Sequence, residues 1–131
     1  MELRSVEELM DLLHACRHQH ALRTAALLRR SRPADKELQV AGLVQDIGQL
    51  ICPGDERLGT ERAAEAVRPL LGERVYRLVR RRGPAHDDDL LRLRLADEES
   101  RTAGLDAGVL EDWRTVLELV AARNSRLGAV D

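Results

Sequence analysis

The chain has 131 residues and a formal net charge of -2, which fits one domain with a single hydrophobic core. With 44% hydrophobic and 34% charged residues, it is too apolar for a disordered chain and too charged for a membrane protein. Because it has no Phe, one Trp and one Tyr, it lacks the aromatic residues on which nucleic-acid bases stack. We therefore expect neither a nucleic acid nor a membrane as a partner.

The N-terminus and the cysteines indicate the cellular compartment. The opening residues, MELRSVEELMDLL, are acidic and amphipathic and do not resemble a secretory signal. Cys16 and Cys52 do not form the spaced pattern of a disulfide framework, and Cys52 reads as a small buried apolar residue. We therefore expect a cytoplasmic protein.

Apolar residues with helical periodicity run through nearly the whole chain and predict a compact all-α domain of about six to seven helices. Ser5, followed three residues later by Glu8, forms a capping box that begins the first helix. The second helix is predicted over about residues 18–30 and ends before Pro33. The third, over about residues 35–51, is the most hydrophobic, and we expect it at the centre of the core.

The second half of the chain is predicted to hold four more helices, over about residues 59–71, 73–82, 88–100 and 109–123. Gly72 separates the first two of these as a C-cap. Three consecutive acids, at residues 87–89, favour a helix start because carboxylates stabilise the positive end of the helix dipole. We expect one domain, with its core over about residues 5–123 and a frayed tail over 124–131.

Two polar stretches interrupt the apolar pattern. His20 opens the second helix in the string HALRTA, at residues 20–25. Asp46 lies inside the most hydrophobic helix, in the string LVQDIGQLI at residues 43–51. A buried carboxylate is costly unless it is paired, hydrogen-bonded or bound to a metal. Asp46 therefore indicates a site with a structural or a chemical role.

These strings resemble the HD-domain superfamily, and within it small bacterial proteins similar to the mixed-valent di-iron oxygenases of phosphonate breakdown, relatives of myo-inositol oxygenase. QHALRTA at residues 19–25 matches a family string in which a histidine opens a helix. LVQDIGQL at residues 43–50 matches the family's Leu-Leu-His-Asp-Ile-Gly-His-Leu, and LGERVYRLV at 71–79 and LRLADE at 93–98 match later segments. The resemblance covers about residues 15–123 and implies a helical fold around a metal site.

The departures from the family pattern indicate that the di-iron site has been dismantled. The family binds two irons with four histidines and two aspartates, and the resemblance places glutamine or arginine at two of those histidine positions, Gln45 and Arg82. A third falls near Asp55 or Gly59, and Gln49 replaces a further histidine that the family associates with substrate or proton handling. Since Arg82 would put a fixed positive charge where the second metal sits, we expect no second metal.

The three ligand positions that survive are His20, Asp46 and Asp97. One imidazole and two carboxylates are a set that can hold a single divalent ion, Fe or Mn, with Gln45 as a weak carbonyl donor. The alternative is a metal-free polar cluster in which Asp46 bonds to His20 and pairs with Arg82. We favour the metal-free alternative, with no cofactor.

Other candidate residues have simpler interpretations. His14 and His18, with Cys16 between them, have a spacing that can hold zinc, but surface histidines are the more common case. His86 precedes three aspartates and is interpreted as part of a solvated loop before a helix, with a small cation patch as the alternative.

Arginines cluster before Gly83, at positions 77, 80, 81 and 82, with position 74 as a possible extension. Such a cluster can contact a phosphate or a carboxylate ligand, or it can form a solvated face paired with nearby acids. Its position beside the ancestral pocket makes Arg82, followed by Arg81, the arginine most expected to act there.

The function we expect is that of a degenerate HD-domain protein that binds a small anionic ligand or a protein partner. Gln45, Gln49, Arg81 and Arg82 would line its binding site. Two enzyme functions stay open: a hydrolase- or oxygenase-derived enzyme with one metal, or a metal-free pocket in which Asp46, Asp97 or His20 acts as acid or base. The second alternative would suit specialised biosynthesis.

Overall fold

The structure is a computed structural model that describes residues 2–16, 19–81, 87–102 and 107–130, with side chains up to residue 125. These ranges contain α-helices and no strand: α1 Val6–Ala15, α2 Gln19–Ser31, α3 Lys36–Val44, α4 Gly48–Ile51, α5 Glu56–Leu71, α6 Glu73–Arg80, α7 Asp88–Ser100 and α8 Arg114–Val130. Seven of these helices have eight or more residues and α4 is a single turn, which confirms the predicted all-α fold. In the ranges described, none of the helices is long and apolar enough to cross a membrane.

Side-chain caps begin several helices. The Ser5 hydroxyl accepts a hydrogen bond from the Glu8 backbone N–H at 3.1 Å, as the sequence predicts. The Glu8 carboxylate reaches back one residue further than the standard box and accepts from the Arg4 backbone N–H at 3.1 Å. Asp55 caps α5 in the same way, which is why this helix begins at Glu56 rather than at the predicted residue 59.

The predicted third helix is divided into three parts. After α3, residues Gln45–Ile47 form a 3₁₀ turn, and α4 follows as a separate turn of helix. Gly48 in α4 packs directly on Gly59 in α5: a Cβ atom on Gly59 would lie 2.7 Å from the Gly48 carbonyl oxygen. The two helices therefore meet backbone to backbone, a contact that side chains at these positions would prevent.

Two other predicted helix ends also differ from the structure. Helix α6 ends at Arg80, because Arg81 takes a left-handed conformation. The last helix is preceded by a 3₁₀ turn, Leu110–Trp113, and continues to Val130 instead of ending at Arg123. Asn124, the first residue of the predicted frayed tail, donates a hydrogen bond from Nδ2 to the Pro69 carbonyl oxygen at 3.0 Å.

Helix α3 lies at the centre of the core, as predicted. Its residues 38–44 are all buried, and it packs against α2, α6, α7 and α8. The fully buried Trp113 belongs to the same core, and the Arg29 guanidinium lies over its ring at 4.9 Å from the centroid. Because α2, α6 and α7 surround α3, polar residues at the ends of these helices can converge on one site.

Arg74, a possible member of the predicted arginine cluster, links three helices through ion pairs and is not part of a solvated basic face. Its guanidinium donates to both carboxylate oxygens of Asp35, at 2.6 and 2.7 Å, and also to Glu37 at 3.2 Å and Asp89 at 3.0 Å. The hydrogen bond from Arg74 holds the pKa of Asp35 below its usual value, although burial opposes this. Arg74 thus joins the first turns of α3 and α7 to α6.

Candidate functional site

A buried carboxylate, Asp97 on α7, lies at the centre of the site that the sequence predicts. Its side chain is 10% exposed. Oδ1 accepts a hydrogen bond from His20 Nε2 at 2.7 Å and a second one from the Gln45 side-chain amide at 3.0 Å. His20 comes from the first turn of α2 and Gln45 from the 3₁₀ turn after α3. We call His20, Gln45, Arg81 and Asp97 the Asp97 cluster.

Two arginines face the same carboxylate. Arg81 Nη2 donates a hydrogen bond to the Gln45 carbonyl oxygen and lies 4.0 Å from Asp97 Oδ1. Arg101 Nη2 lies 3.4 Å from Asp97 Oδ2. Burial by itself raises the pKa of Asp97, but the hydrogen bond from His20 and the charges of Arg81 and Arg101 outweigh it and hold that pKa below its usual value. Asp97 is therefore a carboxylate at neutral pH.

Gln45 connects the carboxylate to the arginine. It is 5% exposed, and its amide N–H points to Asp97 while its carbonyl oxygen accepts from Arg81. A glutamine can donate and accept at the same time, so both ends of its side chain are satisfied. Gln45, which stands where the family that the sequence resembles has a histidine, thus holds Arg81 in place.

The backbone of Arg81 is unusual. Its φ of 57° is the one positive value at a non-glycine position among the residues that the structure describes. The left-handed conformation costs a side chain about 1 kcal/mol, and such residues concentrate at functional sites. It ends α6, and the Arg81 side chain reaches Gln45.

Thr24 and Ser100 fix the position of His20. Both are fully buried, and the Thr24 hydroxyl oxygen lies 3.0 Å from the His20 carbonyl oxygen and 3.0 Å from Ser100 Oγ, either of which can accept its hydrogen. Ser100 Oγ lies 2.9 Å from His20 Nδ1 and donates to the Asp97 carbonyl oxygen at 2.7 Å. Both ring nitrogens of His20 therefore have hydrogen-bond partners.

The prediction that Asp46 bonds to His20 is wrong, because Asp97 is the partner of His20. Asp46 is half-buried and makes no hydrogen bond or ion pair with the described part of the chain. Burial raises its pKa, helped by the negative charge of Asp97 and opposed by His20 and Arg81. Asp46 is thus a poorly solvated carboxylate without a direct partner, next to the Asp97 cluster.

We expect Asp46→Asn to stabilise the protein by roughly 1 kcal/mol at pH 7, since an uncompensated buried charge is costly. A raised folded-state pKa means that folding is favoured below the ordinary pKa, near 4, and loses this contribution as pH rises. The gain from Asp46→Asn should therefore grow from pH 4 to pH 7. Urea unfolding at several pH values measures it.

The matched control is Asp11→Asn, on the exposed face of α1. This substitution removes the same charge without a buried environment, so we expect a change within about 0.5 kcal/mol at every pH. A loss of stability in Asp46→Asn at pH 7 would show that Asp46 has a stabilising partner. A gain that does not vary with pH would show that the charge of Asp46 is not its cause.

The other predicted residues lie apart from the cluster or outside the described ranges. Gln49 is exposed on α4 and makes no hydrogen bond to the cluster within the described residues. His18, Arg82 and His86 lie outside the described residues. Of the two arginines predicted to line the site, Arg81 is therefore the one whose contacts the structure describes.

The cysteines differ little from each other in burial, and the prediction of a buried residue applies to Cys52 alone. Cys52 is half-buried rather than buried. Burial and the charge of Asp46 raise the pKa of Cys16, which disfavours the thiolate that metals bind. Over residues 2–16, 19–81, 87–102 and 107–130, no three His, Cys, Asp or Glu side chains are grouped as a metal site requires.

Ser100 and Arg101 also contact the Asp97 cluster, and the sequence analysis did not name them. They follow Asp97 by three and four residues, a spacing that puts side chains on the same face of a helix as the aspartate. This spacing, read from the sequence, could have identified both residues as neighbours of Asp97.

Comparisons with protein-family models, with curated proteins and with solved structures found no match. The HD-domain resemblance therefore stays a prediction from the sequence.

Proposed function

We propose that the protein is a degenerate HD-domain protein that binds a small anionic ligand through Arg81. The observation that carries this proposal is that the Arg81 side chain is held by Gln45 and yet is 44% exposed. A guanidinium has five N–H donors, and the bond to Gln45 uses one of them. The remaining donors can pair with a carboxylate or a phosphate, for which the guanidinium fork is suited.

Preorganisation supports the proposal. A free arginine side chain loses about 2 kcal/mol of rotamer entropy when a ligand fixes it. In this protein the left-handed backbone of Arg81 and its hydrogen bond to Gln45 already restrict the side chain before binding, so a ligand removes less rotamer entropy. Arg81 shares the Asp97 carboxylate with Arg101, at 4.0 Å and 3.4 Å respectively, so the one negative charge offsets the Arg81 guanidinium only in part.

The residues around Asp97 do not fit the metal that the family resemblance implies. His20 Nε2 and the Gln45 amide both point their hydrogens at Asp97 Oδ1, and the Gln45 carbonyl oxygen faces Arg81. A divalent ion on this carboxylate would also lie next to two fixed guanidinium charges, which would repel it. In our proposal Arg81 and Arg101 supply the positive charge that a metal supplies in intact family members.

Calorimetric titration with inorganic phosphate at low ionic strength tests the proposal. Arg81→Gly removes the guanidinium, while glycine tolerates the left-handed backbone, so the fold should be preserved. We expect about tenfold weaker binding, the effect of losing one charge-assisted contact. Arg30→Gln, an exposed position on α2, is the control for the loss of one positive charge.

The comparison between these two variants decides the outcome. Circular dichroism confirms that each is folded. If Arg81→Gly binds phosphate as well as the unsubstituted protein does, or if Arg30→Gln weakens binding equally, the proposed role of Arg81 is wrong.

A further inference from the structure

Arg81 borders a second feature, a cleft between the first turns of α5 and the end of α6. The cleft has a volume of about 410 Å³ and is lined by Glu56, Arg57, Thr60, Glu61, Arg80 and Arg81. Small-molecule sites in proteins have volumes of roughly 300–1,000 Å³, so a compact ligand fits. Because Arg81 lines this cleft and also contacts Gln45, the Asp97 cluster fixes one wall of it.

The charges of the cleft favour an anion. Among the residues that the structure describes, three arginines and two glutamates line it, which leaves one net positive charge. The Thr60 hydroxyl is engaged, since it donates to the Glu56 carbonyl oxygen at 3.0 Å. Arg57 is exposed and forms no ion pair within the described residues, so its guanidinium is available to a ligand.

Arg80 is the third arginine of this cleft, and other side chains hold its guanidinium in place. Its Nε atom is buried, forms an ion pair with Glu61 Oε2 at 3.6 Å and makes no hydrogen bond among the described residues. Nη1 donates to the Tyr76 hydroxyl at 3.1 Å. Arg80 therefore contributes a positive charge of fixed position to the wall of the cleft.

We infer that the ligand of Arg81 is a compact dianion that lies in this cleft among Arg57, Arg80 and Arg81. The inference rests on the proposed function and adds the location and the charge of the ligand. A compact dianion offers oxygens to more than one of the three guanidinium groups at once, whereas a monoanion such as acetate can pair with a single one. A phosphate-type oxyanion and a small dicarboxylate share this chemistry.

Calorimetric titrations with inorganic phosphate, malonate and acetate at matched ionic strength test the inference. We expect phosphate or malonate to bind about tenfold more tightly than the monoanion acetate. Arg57→Gln should weaken binding of the dianion about tenfold, and the exposed position of Arg57 makes loss of the fold unexpected. Arg30→Gln should bind like the unsubstituted protein.

The outcomes separate this inference from the proposed function. If Arg81→Gly weakens binding while Arg57→Gln does not, the ligand is bound by Arg81 outside the cleft, and the inference is overturned while the proposed function stands. If neither variant changes binding, both are overturned. Equal binding of acetate and the two dianions would overturn the inference as well. The tighter of phosphate and malonate identifies the oxyanion class.

Discussion

Asp97→Ala is expected to lower the free energy of unfolding by about 3 kcal/mol at pH 7. The carboxylate accepts hydrogen bonds from His20 and Gln45 and faces Arg81 and Arg101, so its removal leaves buried donors unpaired and two cations without a counter-charge. The effect lies toward the lower end of the range for buried ion pairs, because both arginines are partly exposed. Urea unfolding measures it.

The pH dependence of this loss follows from the lowered pKa of Asp97. A group whose folded-state pKa is depressed contributes stability above its ordinary pKa, near 4, and loses it as pH falls through the folded-state value. The difference between the unsubstituted protein and Asp97→Ala should therefore shrink below pH 4. Asp97→Asn keeps one acceptor oxygen and should lose less than Asp97→Ala. Equal stability of Asp97→Ala and the unsubstituted protein at pH 7 would mean that the cluster contributes nothing to folding.

Gly48→Ala is expected to destabilise the protein by about 3 kcal/mol or more. The added Cβ atom would collide with the Gly59 carbonyl group. A backbone oxygen cannot rotate away as the end of a side chain can, so α4 would have to move off α5. Gln45 and Asp46 immediately precede α4, and we expect the movement to disturb the hydrogen bond between Gln45 and Asp97 as well.

Gly54→Ala is the matched control for this prediction. Gly54 has a φ of +87°, which is unfavourable for alanine, but a Cβ atom there would meet nothing within 4 Å. We expect a cost of about 1 kcal/mol from the backbone conformation alone. Thermal and urea unfolding measure the free energy of unfolding of both variants. Similar losses in the two would show that α4 can move away from α5 at little cost.

Helix periodicity and capping residues were sufficient to predict most of the fold. Ser5 and the acids at residues 87–89 mark helix starts that depend on neighbours within one turn. The division of the predicted third helix could not be predicted from the sequence. The 3₁₀ turn at Gln45–Ile47 precedes the packing of Gly48 against Gly59, which lies on a different helix. Local patterns carry no information on such tertiary contacts.

The structure brings together four of the residues named from the sequence, His20, Gln45, Arg81 and Asp97, but with pairings that the sequence did not predict. His20 and Asp97 come from the sequence resemblance, yet the sequence gives no register between α2 and α7, and Asp46 was assigned to His20 instead. Arg81 and Arg82 are adjacent and chemically identical, so sequence alone could not tell which one ends α6 in a left-handed conformation beside Gln45. That assignment depends on the backbone.

The metal content of the protein tests most directly whether arginines, rather than a metal, neutralise Asp97. The protein would be purified without chelators from cells grown with added iron, manganese and zinc, and measured by elemental analysis beside Asp97→Asn. We expect far less than one metal ion per chain in both, because Arg81 and Arg101 already face the carboxylate. One bound metal ion per chain in the unsubstituted protein, absent from Asp97→Asn, would contradict our proposal.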